Sequence, residues 1–245
     1  MKKTILSSLI LMVTFVFPCL ANDFNKGMYE LNRGEFHEAI TQFQPLVDDN
    51  YAPALYQMAK IYLYGHGTST NKSKAVELMT KAAEQNYPDA QFALSVMYTD
   101  GELVKKDLKL AFELMEKAAM KELPSAQFNL GVMYAQGQGT KVDNYQAARW
   151  YKKAANENFA LAQFNLALMY YEGKGVEKSN YLSYVWNAVA AKGGYKNAEK
   201  SRDMDERNLS LEEIKTGREE AETIYNKLVR KQDMEAKRAA EALHF

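Results

Sequence analysis

The residues best suited to covalent chemistry are a serine with a lysine three positions later and a Lys-Thr-Gly run far downstream. Ser69 and Lys72 form an SxxK pattern, and residues 215–217 read KTG. In serine enzymes that react with β-lactams, the SxxK serine is the nucleophile, and KTG is expected beside it on a strand. This pair leaves one alternative open: a cell-wall-active protein that binds peptidoglycan or acts like a β-lactamase.

The histidines and the single cysteine do not form a metal-binding pattern. His37 is followed by Glu38 but by no second histidine four residues later, so the zinc-protease motif is missing. His66 lies in a glycine-rich loop and His244 near the end of the chain. One cysteine can build neither a disulfide framework nor a thiolate cluster. We therefore expect no metal, no cofactor and no catalytic residue.

Composition favours a helical globular protein. Hydrophobic residues make up 47% of the 245 positions and charged residues 25%, which excludes a disordered chain. The 31 Lys and Arg residues equal the 31 Asp and Glu residues, so the basic excess of a nucleic-acid-binding protein is missing. Five prolines and 13 glycines are too few for a loop-rich all-β protein.

The amino terminus has the three parts of a secretory signal peptide. Lysines occupy positions 2–3, residues 5–17 carry no charge, and residues 18–21 end in a small residue. The uncharged run is shorter than the ~20 residues of a spanning helix, although an uncleaved anchor stays open. Cys19 follows a Phe-Pro pair rather than the small residues of a lipobox. We predict cleavage after Ala21 and a periplasmic or secreted bacterial protein.

A 36-residue period covers the middle of the chain. Similar segments start at Ala54, Ala90, Ala126 and Ala162, and a fifth start falls at Ala198. The repeated columns hold an aromatic residue (Tyr56, Phe92, Phe128, Phe164), a tyrosine (Tyr62, Tyr98, Tyr134, Tyr170), a glycine (Gly65, Gly101, Gly137, Gly173) and an alanine pair that begins at Ala82, Ala118, Ala154 and Ala190.

Each repeat is predicted to be an antiparallel pair of helices. Apolar or small residues at offsets 0, 4, 5 and 8 from the starting alanine lie on one face of a first helix, helix A. The glycine at offset 11 ends this helix in a left-handed conformation. Asn71, Asp107 and Asp143 are predicted to cap a second helix, helix B, which carries the alanine pair. Such a pair cannot bury its apolar face alone, so the repeats must stack.

These columns resemble the Sel1-like repeat, which is related to the tetratricopeptide repeat. The third repeat matches most fully, in Ala126-Gln127, Leu130-Gly131, Tyr134, Gly137, Gly139, Ala147, Trp150-Tyr151 and Lys153-Ala154-Ala155. The resemblance implies an all-α, right-handed α-solenoid of stacked antiparallel helix pairs. We expect a signal peptide at residues 1–21, a capping helix pair at 22–53, four repeats at 54–197 and charged capping helices at 198–245.

The carboxy-terminal segment carries a helix-start signal. Ser210 and Glu213 form a capping box, so a long helix should begin at Leu211. Its apolar positions thin out after Arg230, where we expect the helix to fray.

The resemblance also implies a function, which is the binding of a protein or peptide partner without catalysis. By analogy with tetratricopeptide units, helix A lines the concave groove, and positions that vary between repeats are the candidates for contact. The candidates are Gln57, Lys60, Tyr64, Val96, Asp100, Asn129, Val132, Gln136, Asn165, Leu168 and Glu172. An ordinary solvated face is the alternative for any one of them. We expect no nucleic-acid partner and no stable membrane insertion after signal cleavage.

The repeat assignment weighs against the cell-wall alternative. Ser69 falls in a loop between helices and residues 215–217 fall inside the predicted carboxy-terminal helix, so neither motif has the surroundings that its chemistry needs.

Overall fold

The computed structural model describes residues 23–242, which form twelve α-helices, one short 3-10 helix and no strand. The helices are α1 (23–33), α2 (Phe36–Asp48), α3 (Ala52–Tyr64), α4 (Lys72–Glu84), α5 (Pro88–Asp100), α6 (Leu108–Met120), α7 (Pro124–Gln136), α8 (Asn144–Asn156), α9 (Ala160–Glu172), α10 (Asn180–Lys192), α11 (Lys196–Asp205) and α12 (Leu211–Ala242), with the 3-10 helix at Glu206–Asn208. The all-α prediction is confirmed for these residues. The predicted signal peptide and Cys19 lie outside them.

The described residues divide into two compact units, residues 23–107 and residues 108–242. In the first unit, α3 packs against α2 and α4, and α4 packs against α5. In the second unit, consecutive helices from α6 to α11 pack against one another, and α12 packs against α10. Each unit is thus built by stacking helix pairs, as the repeat pattern predicts.

Glycines end every helix A, as predicted. Gly65, Gly101, Gly137 and Gly173 all have a left-handed backbone, with φ between 69° and 77°. In three of the four repeats, a second glycine two residues later lets the loop backbone lie close to the start of a preceding helix. A Cβ at Gly139 would lie 2.0 Å from the Leu108 carbonyl oxygen. The loop therefore packs directly on the start of the preceding helix B.

Helix B begins at a side-chain cap. Oδ1 of Asn71 accepts a hydrogen bond from the Lys74 amide at 3.0 Å, and Asp143 accepts one from the Gln146 amide at 2.9 Å. The predicted caps at Asn71 and Asp143 are confirmed, because each side chain satisfies an amide that the helix leaves unpaired.

The turn from helix B to the next helix A also repeats. Its left-handed residues are Asn50, Asn86, Glu122, Asn158 and Gly194, with φ between 57° and 86°. A buried glutamine one position after the starting alanine braces this turn. Nε2 of Gln163 donates to the Ala155 carbonyl at 3.2 Å and lies 3.4 Å from Oδ1 of Asn158, and Gln91 makes the same pair of contacts with Ala83 and Asn86.

Small residues let the helices of the second unit pack closely. Ala147, Ala154 and Ala162 are fully buried, and larger side chains such as Leu166 and Tyr184 fill the space between them. Trp150 and Trp186 are buried as well, consistent with a core position.

Helix α12 closes the second unit. The amide of Ser210 donates to Glu213 at 2.8 Å and the amide of Glu213 donates to Oγ of Ser210 at 3.2 Å, so the predicted capping box is confirmed. Ala221 and Leu228 are buried against the repeats. Lys231 forms an ion pair with Glu157, which lies in the turn between α8 and α9. The helix continues beyond Arg230 to Ala242, and the expected fraying of its end stays a prediction.

Candidate functional site

Four of the predicted contact residues line one cavity in the first unit. Lys60 and Tyr64 of α3 and Val96 and Asp100 of α5 surround a space of about 340 Å³, which we call the α3–α5 surface. The remaining lining residues are Tyr56, Leu63, Met79, Phe92, Ala93, Met97, Glu102 and Leu103. Offsets 6 and 10 of neighbouring repeats therefore meet where helix A of one repeat lies beside helix A of the next.

The α3–α5 surface combines exposed apolar groups with charges of both signs. The Tyr64 side chain is 61% exposed and Val96 is 37% exposed, which leaves apolar area in water. The Lys60 ammonium lies 5.4 Å from the centre of the Tyr56 ring, while Asp100 supplies a carboxylate. Burial raises the pKa of Tyr56, so its ring stays uncharged. The α3–α5 surface therefore offers apolar area together with one cation and one anion.

The predicted residues of the second unit are more dispersed. Nδ2 of Asn129 donates to the Ser125 carbonyl and Nδ2 of Asn165 to the Leu161 carbonyl, both at 2.8 Å. These bonds hold both half-buried amides against their own helices. Val132 is half-buried, Gln136 and Glu172 are exposed, and Leu168 lines a different cavity.

Gln57 lies under the surface of the first unit rather than on it. Its side chain is 8% exposed, and Oε1 is buried without a hydrogen-bond partner. The first repeat has Leu55 at the position where the later repeats have a buried glutamine. In this repeat the buried glutamine is Gln57, two residues further along α3.

A second cavity was not predicted from the sequence. It measures about 340 Å³ and lies in the second unit, among α9, α10, α11 and the 3-10 helix; we call it the α10–α11 cavity. Its buried polar side chains are Ser183, Asn187 and Asp205. The other lining residues are Phe164, Leu168, Tyr171, Ser201, Met204, Arg207 and Asn208.

Hydrogen bonds join the three buried polar groups of this cavity. Oδ2 of Asp205 accepts from Oγ of Ser183 at 2.9 Å and from Nδ2 of Asn187 at 2.8 Å. Burial raises the pKa of the Asp205 carboxyl, and the two hydrogen bonds oppose that shift. A comparison of repeat columns could have found this cluster, since Ser183 occupies a column that is otherwise alanine.

The residues considered for covalent chemistry do not have the required surroundings. Ser69 is exposed in the loop before α4, and residues 215–217 lie on α12 rather than on a strand. His66 stacks on the Phe36 ring at a centroid distance of 4.7 Å, which accounts for its position by packing. Within residues 23–242, no group of three His, Cys, Asp or Glu side chains could hold a metal ion.

A helix that spans a membrane needs about 20 predominantly apolar residues in succession. Among the described helices, none has an apolar stretch long enough to cross a bilayer.

The Sel1 repeat family model matches residues 52–87, 88–123, 124–159 and 160–195. The chain belongs to the Sel1 repeat family. The matched repeats keep the predicted 36-residue period. The first match begins at residue 52, which is the first residue of α3 and lies two residues before the predicted start at residue 54. The Sel1 repeat is a solenoid fold that commonly serves as a protein-interaction module.

Two solved structures share this fold. A protective antigen of uropathogenic Escherichia coli with an SLR fold is 29% identical, with a TM-score of 0.73 over 91% of this chain. The match covers 48% of the antigen, so the present chain spans about half its length. A Sel1 repeat protein from Oxalobacter formigenes is 22% identical, with a TM-score of 0.67 over 79% of this chain and 88% of that protein. A search of curated proteins found no match.

Proposed function

We propose that this Sel1 repeat protein is an exported, non-enzymatic scaffold that binds a protein or peptide segment at the α3–α5 surface. The supporting observation is the convergence of Lys60, Tyr64, Val96 and Asp100 around one cavity. These positions vary between repeats whose core columns are kept, so they contribute little to the fold. An exposed aromatic ring beside an aliphatic side chain and two opposite charges suits a peptide with one apolar anchor.

The proposal is tested by capturing partners from the envelope fraction and measuring the affinity of each identified partner with purified components. Tyr64→Ser with Val96→Ser removes the apolar contacts and should weaken binding by about tenfold or more, since truncated anchor residues cost ~2 kcal/mol or more. Tyr145→Ser with Met120→Ser is the matched control, because these side chains are 62% and 63% exposed on helix B positions. Equal loss in both double variants would place the binding surface elsewhere.

Export is the second part of the proposal. It is supported by the charged start, the short uncharged run and the small residue at position 21. Mass spectrometry of the protein purified from its native cells should show a chain that begins at Asn22. An intact Met1 or a lipid on Cys19 would contradict this.

Absence of catalysis is the third part. A fluorescent β-lactam should leave the purified protein unlabelled. Covalent labelling that disappears in Ser69→Ala would overturn the scaffold proposal in favour of cell-wall chemistry.

A further inference from the structure

Two core columns of the repeats become polar in one repeat only. Position 183 is alanine in the other repeats, at Ala75, Ala111 and Ala147, but it is Ser183 in the fourth. Position 187 is Met79, Met115 and Tyr151 in the others, but it is Asn187 in the fourth. Both side chains are buried, at 1% and 3% exposure, so the change brings polar groups into the interior at a cost in hydration.

Both polar residues face the same carboxylate. Asp205, at the end of α11, is 4% exposed and accepts one hydrogen bond from each of them. The ion pairs of the described residues do not include Asp205. A buried carboxylate without a cation carries a desolvation cost that an incoming positive charge would offset.

Asn187 presents a further unused acceptor. Its Nδ2 donates to Asp205, which fixes the amide orientation, because the opposite orientation would set Oδ1 against the carboxylate. Oδ1 is buried and has no hydrogen-bond partner. This oxygen has less than 1 Å² of accessible area, so it does not face the cavity, and the contribution of Asn187 is to orient the Asp205 carboxylate.

The walls of the α10–α11 cavity are largely apolar. Phe164, Leu168, Tyr171 and Met204 line it, and Tyr171 and Met204 are 44% and 60% exposed. The volume of about 340 Å³ lies at the small end of the range of about 300–1,000 Å³ for ligand pockets. Such a space suits one flexible apolar stem that ends in a polar group.

We propose that the α10–α11 cavity is a binding site for an alkylammonium or guanidinium group, the chemistry of a lysine or arginine side chain. The cation pairs with Asp205, while its stem lies against the apolar walls. The site belongs to the second unit and does not depend on what the α3–α5 surface binds.

The test uses N-acetyl-lysine methylamide and N-acetyl-arginine methylamide as probes, with the norleucine and citrulline derivatives as uncharged counterparts. Methionine-methyl NMR of the purified protein reports on Met204 in the cavity wall. Both charged probes should shift the Met204 signal saturably, and the uncharged counterparts should bind about tenfold more weakly or worse. Equal binding of norleucine, or no shift by either cation up to its solubility limit, overturns the proposal.

Variants assign the effect to the buried cluster. Asp205→Asn keeps the shape and removes the charge, so the lysine probe should bind about tenfold more weakly. Asp203→Asn is the matched control, because this exposed carboxylate lies on the same helix and pairs with Arg202. Asn187→Met restores the residue of the first two repeats and should also abolish binding while the protein still melts cooperatively. Unchanged binding in both Asp205→Asn and Asn187→Met would reject the site.

A final arm separates two sources of the cation. A lysine-containing tripeptide that binds more tightly than the single-residue probe supports a side chain of a polypeptide partner. A free diamine that binds as tightly as the tripeptide supports a small-molecule ligand of the same chemistry.

Discussion

Gly217 of α12 packs against the face of Tyr184 in α10, and a Cβ at Gly217 would lie 2.8 Å from Cδ1 of that ring. Tyr184 is 1% exposed and sits between the two helices. The glycine of the KTG run is therefore a contact point between helices. This relationship explains the residue without any role in β-lactam chemistry.

Gly217→Ala should lower the free energy of unfolding by about 1–3 kcal/mol, because the added methyl group overpacks a site where the ring cannot move away. Thr216→Ala, at the exposed neighbouring position, should change it by less than about 0.5 kcal/mol. Urea denaturation of both variants provides the comparison. Equal stability of Gly217→Ala and the wild type would mean that α12 is held more loosely than the contact indicates.

Glu122→Asn should stabilise the protein. Glu122 has φ of 62°, a left-handed conformation that costs most side chains about 1–2 kcal/mol, and the equivalent residues Asn50, Asn86 and Asn158 are of the type that tolerates it. We expect a gain of up to about 1 kcal/mol in thermal or urea unfolding. Glu122→Ala removes the same charge but gains no left-handed preference, so a matching rise in that variant would point to charge instead of conformation.

Asp205 should make stability depend on pH in a defined direction. Burial raises the pKa of its carboxyl in the folded state above the value of 3.8 taken for an unperturbed group. The folded state then holds the proton more tightly than the unfolded state, so stability decreases as pH rises from 3.8 through the raised pKa. Over that interval, the free energy of unfolding of the wild type should therefore decrease relative to that of Asp205→Asn. Parallel curves for the two proteins in urea titrations at several pH values would contradict the shift.

Truncation should divide α12 into a required and a dispensable part. A chain that stops after Gln232 keeps Ala221, Leu228 and the contact of Lys231 with Glu157, so its unfolding free energy should change by less than about 0.5 kcal/mol. A chain that stops after Glu220 loses Ala221 and Leu228 and should be destabilised by several kcal/mol, since one buried leucine alone contributes about 1.5–3 kcal/mol. Circular dichroism melts distinguish the two outcomes.

Most of the fold was predictable because it is repeated. Residues of similar type recur at equivalent positions of the repeats, because each repeat needs the same local conformation there. The left-handed Gly65 and the helix cap at Asn71 could therefore be assigned from their residue types alone. The capping box at Ser210 was equally local. The extent of α12 was not predictable from its apolar stripe, because residues 230–238 carry no buried side chain that a pattern would mark.

The candidate sites were predicted less completely, and for a different physical reason. Offset arithmetic placed Lys60, Tyr64, Val96 and Asp100 together because helical spacing fixes which side chains share a face. It failed for Gln57, which is 8% exposed in the structure although it was expected at the groove. Ser183 and Asn187 lie in the fourth repeat, where a comparison of columns would mark them, but Asp205 lies outside the four repeats and reaches them through the tertiary contact of α11 with α10, which no column contains.

Helix α12 packs against α10, the second helix of the last matched repeat. A solenoid end without such a cover is a growth point, because it offers a second molecule the same apolar surface that each repeat offers its neighbour. The charged outer face of α12 instead presents a polar surface to solvent, as the terminal element of a solenoid requires.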